Sequence, residues 1–485
     1  MSRVRRFNKD KVENIKPKVY LNIGALFDIP TASFIQGPKG DIFYNGGLSH
    51  NTGIIGPGGM YKSTLMHYAM LSACSKIFEA GYETDMDSYD TENNMDTNRL
   101  DNLASNFDVF GKNITDKFWT VTDTTSKLGN EWAKEFYEFM IEKTKDKNSY
   151  IQSEGFVDID GKPIKFLIPT FTEIDSLTTF QTESVDEMLT GDLDNSNTNT
   201  YAMKQGIFKT KFMTTLPKYL TQSGTYILMT AHVGEKVDMN ANPYAPQPPK
   251  KLQFLKGNTA IKGSGSMFTF LTTGLWEVEN IKNLTNTGDE PLYPINSDDN
   301  AGTDLNMITV KILRSKNGSG SGIRLPIVVS QTKGVQPTLT EFHYLKTNNK
   351  VNGSNGPGYG MSGNNTTYHL DIYPNVNIQR TKIRNLIDND KKLRRAINIT
   401  SELLQLHIFA RPYLLENDLL MTPLELYEAL IKEGYNWDEI LETRGYWLFN
   451  QYTAKTKFLS VIDLLRMAKG KYKPYWLTDK KNKEK

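Results

Sequence analysis

The sequence predicts an α/β protein with a mostly parallel central sheet flanked by helices, followed by a helical C-terminal domain. Three observations carry this reading. Residues 53–71, GIIGPGGMYKSTLMHYAML, pass from a short apolar strand through a glycine-rich turn into a helix. From Gly53 onward, strand-like and helix-like segments alternate, the pattern of βαβ units. Beyond residue 376 the apolar residues recur at helical spacing instead, as in ITSELLQLHIFARPYLL and TKFLSVIDLLRMAK.

The elements follow in order. Residues 1–17 are polar and basic, a flexible arm; with the apolar stretch 18–35 they form an N-terminal arm and oligomerisation segment, 1–35. The core is expected over 36–346. Gly81 is placed to cap the helix that follows the glycine-rich turn. Residues 164–180 contain a buried strand, 201–220 read as helix, and 225–232 (TYILMTAH) read as another buried strand. Residues 305–313 and 323–330 read as a β-hairpin pair. Residues 347–367 are rich in Asn, Gly and Ser with scarcely an aliphatic residue, which predicts a linker or long loop. Residues 368–485 form the expected helical domain. No internal repeat is present.

Composition narrows the function classes. A chain of 485 residues is long enough for two or three domains and a large core. Hydrophobic content of 38% and charged content of 23% are soluble-globular values. The single cysteine, Cys74, excludes a disulfide framework and predicts a reducing, cytoplasmic setting. No apolar run approaches the roughly 18 residues of a membrane span. The basic start MSRVRRFNKDK has no apolar stretch behind it, so it does not read as a signal peptide. Net charge is only +2, so a nucleic-acid binder would have to keep its cations local.

The glycine-rich turn is the strongest chemical signal. Gly56, Pro57, Gly58, Gly59, Met60 and Tyr61 lead into Lys62, Ser63 and Thr64. Glycines let backbone N–H groups curl around an anion, and the following helix points its positive end at the same place. Lys62 can reach the β- and γ-phosphates of ATP, and Ser63 can hold Mg2+. Tyr61 stands where a glycine normally precedes the lysine.

That departure is informative. An aromatic residue immediately before the lysine resembles phage recombinases of the UvsX type, a branch of the RecA family. The preceding Asn45–Gly53, NGGLSHNTG, also resembles the turn entering that family's first core strand. The resemblance implies a RecA-like P-loop ATPase core over roughly residues 18–346, with weaker support to the end.

Further motifs match the family in order. Tyr89-Asp90-Thr91-Glu92-Asn93 resembles the YDSE-like motif, which implies that Glu92 activates the attacking water. Asp96 falls where the family touches the adenine edge. Arg99 falls where an aromatic residue often covers the base; a guanidinium can stack there. In IPTFTEIDSL, residues 168–177, an apolar strand ends in Asp175, the Walker B arrangement for magnesium, although Thr170, Thr172 and Glu173 make it less apolar than usual. Thr230-Ala231-His232 resembles the family's γ-phosphate sensor, with His232 as the sensing group.

Val233–Gly265 carries Lys236, Lys250, Lys251, Lys256 and Lys262 with prolines and aromatics. It is too long and proline-rich for regular structure and falls where the family places its second DNA loop, suited to a single-stranded backbone. Thr182–Thr200 fits the first DNA loop, but it is acidic and Asn-rich, and a surface insertion explains it equally well. In VKILRSKNGSGSG, residues 310–322, Arg314 and Lys316 resemble cations that reach the ATP of a neighbouring subunit, from a strand expected at the edge of the core. Basic clusters at Arg380–Arg395 and Lys469–Lys485 could help capture duplex DNA.

These features imply an ATP-dependent recombinase that coats single-stranded DNA as a filament, aided by a single-strand-binding or loader protein and without a membrane. Two alternatives stay open. The 314–322 hairpin resembles DnaB-type hexameric helicases at least as well, although only about fifty residues precede the P-loop, few for that family's N-terminal domain. A non-catalytic RecA-fold mediator or coating protein is the other.

Overall fold

The computed structural model describes residues 17–111, 113–158, 160–183, 198–235, 252–256, 259–263, 265–286, 288–295, 303–317, 320–351, 356–364 and 366–477. A hairpin of β1 (Ser33–Gln36) and β2 (Ile42–Asn45) precedes the core. The core then runs β3 (Asn51–Gly56), α1 (Lys62–Glu79), β4 (Met86–Asp90), α2 (Thr97–Ala104), β5 (Trp119–Asp123) and α3 (Gly129–Lys143). A second hairpin, β6 (Tyr150–Val157) and β7 (Pro163–Leu167), leads to β8 (Thr170–Asp175), α4 (Thr198–Ser223) and β9 (Thr225–Glu235). Next come β10 (Thr259–Ile261), α5 (Gly265–Leu271), β11 (Gly274–Asn283), β12 (Leu305–Ser315), β13 (Arg324–Ser330), β14 (Gly334–Val335) and α6 (Pro337–Thr347).

These strands form one mixed sheet in the order β14-β13-β12-β11-β3-β9-β8-β4-β5, with β10 paired to the far end of β9. The strands from β11 to β5 are mutually parallel, and β12, β13 and β14 add antiparallel to one side. The expected 305–313 and 323–330 pair is therefore present as β12 and β13. β12 lies inside the sheet rather than at its edge, because β13 and β14 continue beyond it.

Alternate residues of the buried strands serve opposite faces, as the two-residue period of a strand requires. Ile54 and Leu228 join the core around α1, with Leu65, Ala69 and Leu71. Ile55, Ile227 and Met229 join a second core with Trp132, Phe136, Phe212 and Leu216 of α3 and α4. The helix over 62–79 ends as expected: Gly81 takes a left-handed φ of 81°, and Tyr82 N donates to Ile77 O at 3.1 Å.

The C-terminal region contains β15 (Met361–Gly363), β16 (Thr367–Leu370) and β17 (Tyr373–Gln379) before α7 (Ile383–Asn389), α8 (Lys391–Phe409), α9 (Arg411–Glu416), α10 (Pro423–Lys432), α11 (Trp437–Leu441) and α12 (Val461–Ala468). It is thus helical with a small antiparallel sheet. The low-complexity stretch 347–367 is tied down where it is described. Tyr359 is buried and its hydroxyl lies 2.7 Å from His407 Nδ1 of α8. The buried core around α1 continues without a break into Leu393, Leu403 and Leu465. Polar ties close the junction: Ile42 N donates to Asp463 Oδ2 at 2.9 Å, and Tyr452 OH donates to Asp41 Oδ1 at 2.7 Å. Among the described residues, no helix is long and apolar enough to cross a membrane.

Candidate functional site

The chemistry-bearing segments leave the sheet at one edge. Gly56, the last residue of β3, is level with His232 of β9, and Asp90 of β4 is level with Asp175 of β8. These are the carboxyl ends of four adjacent parallel strands, where open α/β sheets hold ligands.

The turn from Gly56 to Tyr61 is built for backbone exposure. A Cβ added at Gly58 or Gly59 would meet no atom within 4 Å, and Gly59 has φ 69°. Among the described residues, nothing fills the surface above these two glycines, so an anion can approach the backbone closely there. Tyr61 takes φ 57° and ψ 24°, the left-handed region that a glycine enters freely. A tyrosine there costs about 1–2 kcal/mol of backbone strain. Its side chain offsets part of that cost, since the ring packs against the main core and its hydroxyl accepts from Asn306 Nδ2 at 2.8 Å. The departure from glycine thus keeps the backbone shape of the turn while tying it to β12.

Lys62 is 6% exposed and its ammonium donates to Pro57 O at 2.7 Å. Burial lowers its pKa, and the carboxylates of Asp175 and Glu92 oppose that shift. The three groups therefore share one electrostatic environment. Asp175 is buried and accepts a hydrogen bond from Thr230 Oγ1, so the Thr230-Ala231-His232 motif serves the neighbouring strand as well as its own.

Asp90 shapes the loop that presents Glu92. Its carboxylate accepts from Glu92 N at 3.0 Å, Asn94 N at 2.7 Å and Met95 N at 2.7 Å. Thr91 pins the same loop to the end of β8 through Ser176 O at 2.8 Å. Glu92 Oε1 then faces two partners: Ser176 Oγ donates to it at 3.0 Å, and His232 Nε2 lies 3.2 Å away. Both side chains remain part-exposed, so solvent reaches the pair.

The flanking residues divide. Arg99 lies beside the first turn of α1, with Nη2 at 3.5 Å from Thr64 Oγ1 and Nη1 donating to Gln331 O at 3.1 Å. Asp96 caps α2 by accepting from Asn98 N at 2.9 Å, a local role that accounts for it by itself. Arg314 and Lys316 are not brought to this edge. Arg314 is level with Leu275 of β11, which is level with Gly53 near the start of β3. Both cations donate to carbonyls at the end of α5: Arg314 to Thr269 O, and Lys316 to Phe270 O at 2.9 Å.

Of the expected second DNA loop, Lys236, Lys250 and Lys251 lie outside the described residues, as does most of Thr182–Thr200. Regular structure reaches further into 233–265 than its prolines suggest. β9 continues to Glu235 and pairs with β10, placing Ile261 opposite Val233. The foot of the loop is thus a hairpin that begins next to His232, and Lys262 Nζ donates to Glu235 O at 2.9 Å across it. Lys256 is described, beside the 252–256 turn that Lys311 holds through Phe254 O.

Glu173, which makes the strand less apolar than usual, has a structural use. It is fully buried and bonds His67 Nδ1 of α1 at 2.9 Å and Ser88 Oγ at 2.8 Å, while Trp119 Nε1 donates to Ser88 Oγ at 2.8 Å. Burial alone would lower the His67 pKa, but the Glu173 carboxylate outweighs it and the net shift is upward. The two side chains therefore form a buried hydrogen-bonded link between α1 and β8.

Among the described residues, no three His, Cys, Asp or Glu side chains gather as a metal cage. Mg2+ asks for none, since it keeps waters and takes one or two carboxylates plus phosphate oxygens. Ser63 and Asp175 supply donors of that kind, and the open surface over Gly58 and Gly59 fits a phosphate chain. No protein-family model and no curated protein sequence matches this chain.

Proposed function

We propose that this chain is an ATP-dependent DNA-binding protein with a RecA-like core, and that it acts as a strand-exchange recombinase of the UvsX type, filamentous on single-stranded DNA. One observation carries the reading: the glycine-rich turn, Asp175, Glu92 and His232 come from four strands and converge at one sheet edge. Residues scattered over nearly two hundred positions have no packing reason to place a lysine, two carboxylates and an imidazole together.

ATP with Mg2+ would supply an activated phosphoryl group whose transfer to water needs positioning and charge neutralisation. Lys62 and the turn amides would hold phosphate oxygens. Ser63 and Asp175 would hold the ion. Glu92 would orient a water and accept its proton. His232, sharing Glu92 and standing at the foot of the β9–β10 hairpin, would link the phosphate's presence to the loop bearing Lys256 and Lys262. Arg314 and Lys316 lie too far from their own turn to serve it, which supports a role toward a neighbouring subunit.

The test is steady-state ATP hydrolysis with and without single-stranded DNA, combined with electron micrographs of the DNA complex. Stimulated hydrolysis with open helical filaments is the expected result. Closed rings would favour the DnaB-type helicase that the 314–322 hairpin resembles. DNA coating without hydrolysis would favour a non-catalytic mediator.

A further inference from the structure

Lys209 is a buried cation with no counter-charge among its hydrogen-bond partners. It lies on α4, is 5% exposed, and its ammonium donates to Leu177 O at 2.9 Å, Thr178 O at 3.2 Å and Gly263 O at 2.8 Å. Its neighbours Phe208, Phe212 and Met213 belong to the apolar core between α4 and α3. Burial lowers its pKa to about 8. Filling a helix position in such a core does not call for an ammonium, whose desolvation is costly unless its hydrogen bonds are all met.

The three carbonyls belong to segments on either side of the site. Leu177 and Thr178 follow Asp175 after Ser176, and Gly263 lies just past the β9–β10 hairpin. Gly263 has φ 62°, and a Cβ there would come within 2.8 Å of Thr178 O, so the two segments touch through backbone. Thr178 reinforces the contact: its Oγ1 accepts from His232 N at 2.9 Å and donates to Lys262 O at 3.1 Å. Lys209 and Thr178 together clasp the turn after β8 to both strands of the hairpin.

We infer that Lys209 is a positioning residue that couples the state of the Glu92–His232 pair to the grip of the β9–β10 hairpin on single-stranded nucleic acid. His232 takes part at both ends, through its ring to Glu92 and through its N–H to Thr178. A shift of His232 therefore moves against the clasp, and the clasp passes it to Lys262 and α4. With the ammonium removed, the turn keeps Thr178 and the Leu177 N bond to Thr230 O at 2.9 Å but loses its tie to Gly263 O, so the far strand of the hairpin responds less to the site. Coupling of this kind is reciprocal and has a size, commonly 5–150-fold in affinity.

The inference rests on the proposed ATP-dependent DNA binding, and the experiment separates the two. The full-length protein is titrated onto fluorescent oligo-dT with a non-hydrolysable ATP analogue and with ADP, by anisotropy. No affinity difference between nucleotides in the unaltered protein defeats the proposed function itself. Given a difference of about tenfold or more, Lys209→Met is expected to reduce it to within about twofold while analogue binding stays unchanged. Lys209→Arg, which keeps the charge, is expected to restore part of it. A Lys209→Met protein that keeps the full nucleotide ratio overturns the inference, as does equal loss of analogue binding, which marks general damage. If Lys209→Met does not fold, Thr178→Val cuts the same clasp from the other side and is read identically.

Discussion

His232 Nε2 and Glu92 Oε1 stand 3.2 Å apart across a strand that belongs to neither of them. Glu92 follows β4, His232 lies on β9 level with the end of β3, and β8 with Asp175 runs between the two. The contact makes the catalytic assignment of Glu92 directly testable, because the same oxygen also accepts from Ser176 Oγ. Lys62 and Glu92 should fail in different ways. Lys62→Ala removes the charge proposed to hold phosphate and should weaken both nucleotide binding and turnover. Glu92→Gln keeps shape and hydrogen-bond capacity but removes the proton acceptor, so it should retain ATP while losing roughly 10²-fold or more in rate. Filter binding and phosphate release, measured side by side, check this. Normal hydrolysis by Glu92→Gln would remove Glu92 from its assigned role.

The buried His67–Glu173 pair predicts a stability pattern independent of any activity. Removing one partner leaves an uncompensated buried group, and removing both does not. His67→Leu should therefore cost about 3 kcal/mol or more, and the double variant His67→Leu/Glu173→Leu should recover much of that loss. Urea denaturation of the single and double variants measures it. Additive losses would show that the two side chains do not act as a pair.

A cluster of buried acids at the junction with the C-terminal region predicts a pH dependence. Burial raises Glu341 from 4.5 to about 8 and Glu402 to about 7, and Asn398 Nδ2 donates to Glu341 Oε1 at 3.0 Å. An acid whose folded pKa is raised favours folding below its unfolded pKa, and that contribution is lost as pH rises through the folded value. Buried Lys143, lowered to about 7, works in the opposite sense above neutrality, so the comparison must isolate one group. Glu341→Gln should match the unaltered protein near pH 4.5 and become relatively more stable as pH approaches 8. A stability difference that stays flat across this window would show that Glu341 does not titrate in it.

The candidate DNA loop predicts a salt signature. Changing Lys250, Lys251 and Lys256 to alanine should weaken binding to single-stranded DNA and flatten its dependence on salt, because each lost phosphate contact releases fewer counterions. Anisotropy titrations over a salt series give the slope. An unchanged slope would move the DNA site elsewhere, with the C-terminal basic clusters next to test.

Much of the site was legible because its chemistry uses short, fixed spacings. Glycines, Lys62 and Ser63 lie within eight residues, and Asp175 ends an apolar run. The α1, α4, β9 and β12–β13 elements followed from periodicity for the same reason. What stayed hidden depends on contacts distant in sequence. Glu173 read as a blemish because its partner His67 is 106 residues away. Lys209 carries no motif signal in the sequence, and only tertiary packing buries it. The β6–β7 hairpin and the strands of 361–379 are short and polar, with too few apolar alternations to stand out. Tyr359 anchors a stretch whose composition otherwise predicts a linker, and a single buried aromatic leaves no periodic trace.

The placement of Arg314 and Lys316 supports the last prediction. Arg314 is level with Gly53, three residues back from the Gly56 end of β3 and two strands across from it. At about 3.3 Å per residue and 4.8 Å per strand, its backbone lies roughly 14 Å from the turn. Both cations also point to the end of α5, away from Lys62. They cannot readily neutralise charge on their own nucleotide, but they can on a neighbour's if subunits stack edge to edge. Arg314→Ala subunits and Lys62→Ala subunits should each be inactive alone. A mixture can pair an intact turn with an intact cation, and its ATPase should recover in part. No recovery, in mixtures shown to co-assemble on DNA, would leave Arg314 and Lys316 as caps for the carbonyls of α5. Their loss would then lower the unfolding midpoint without any dependence on assembly.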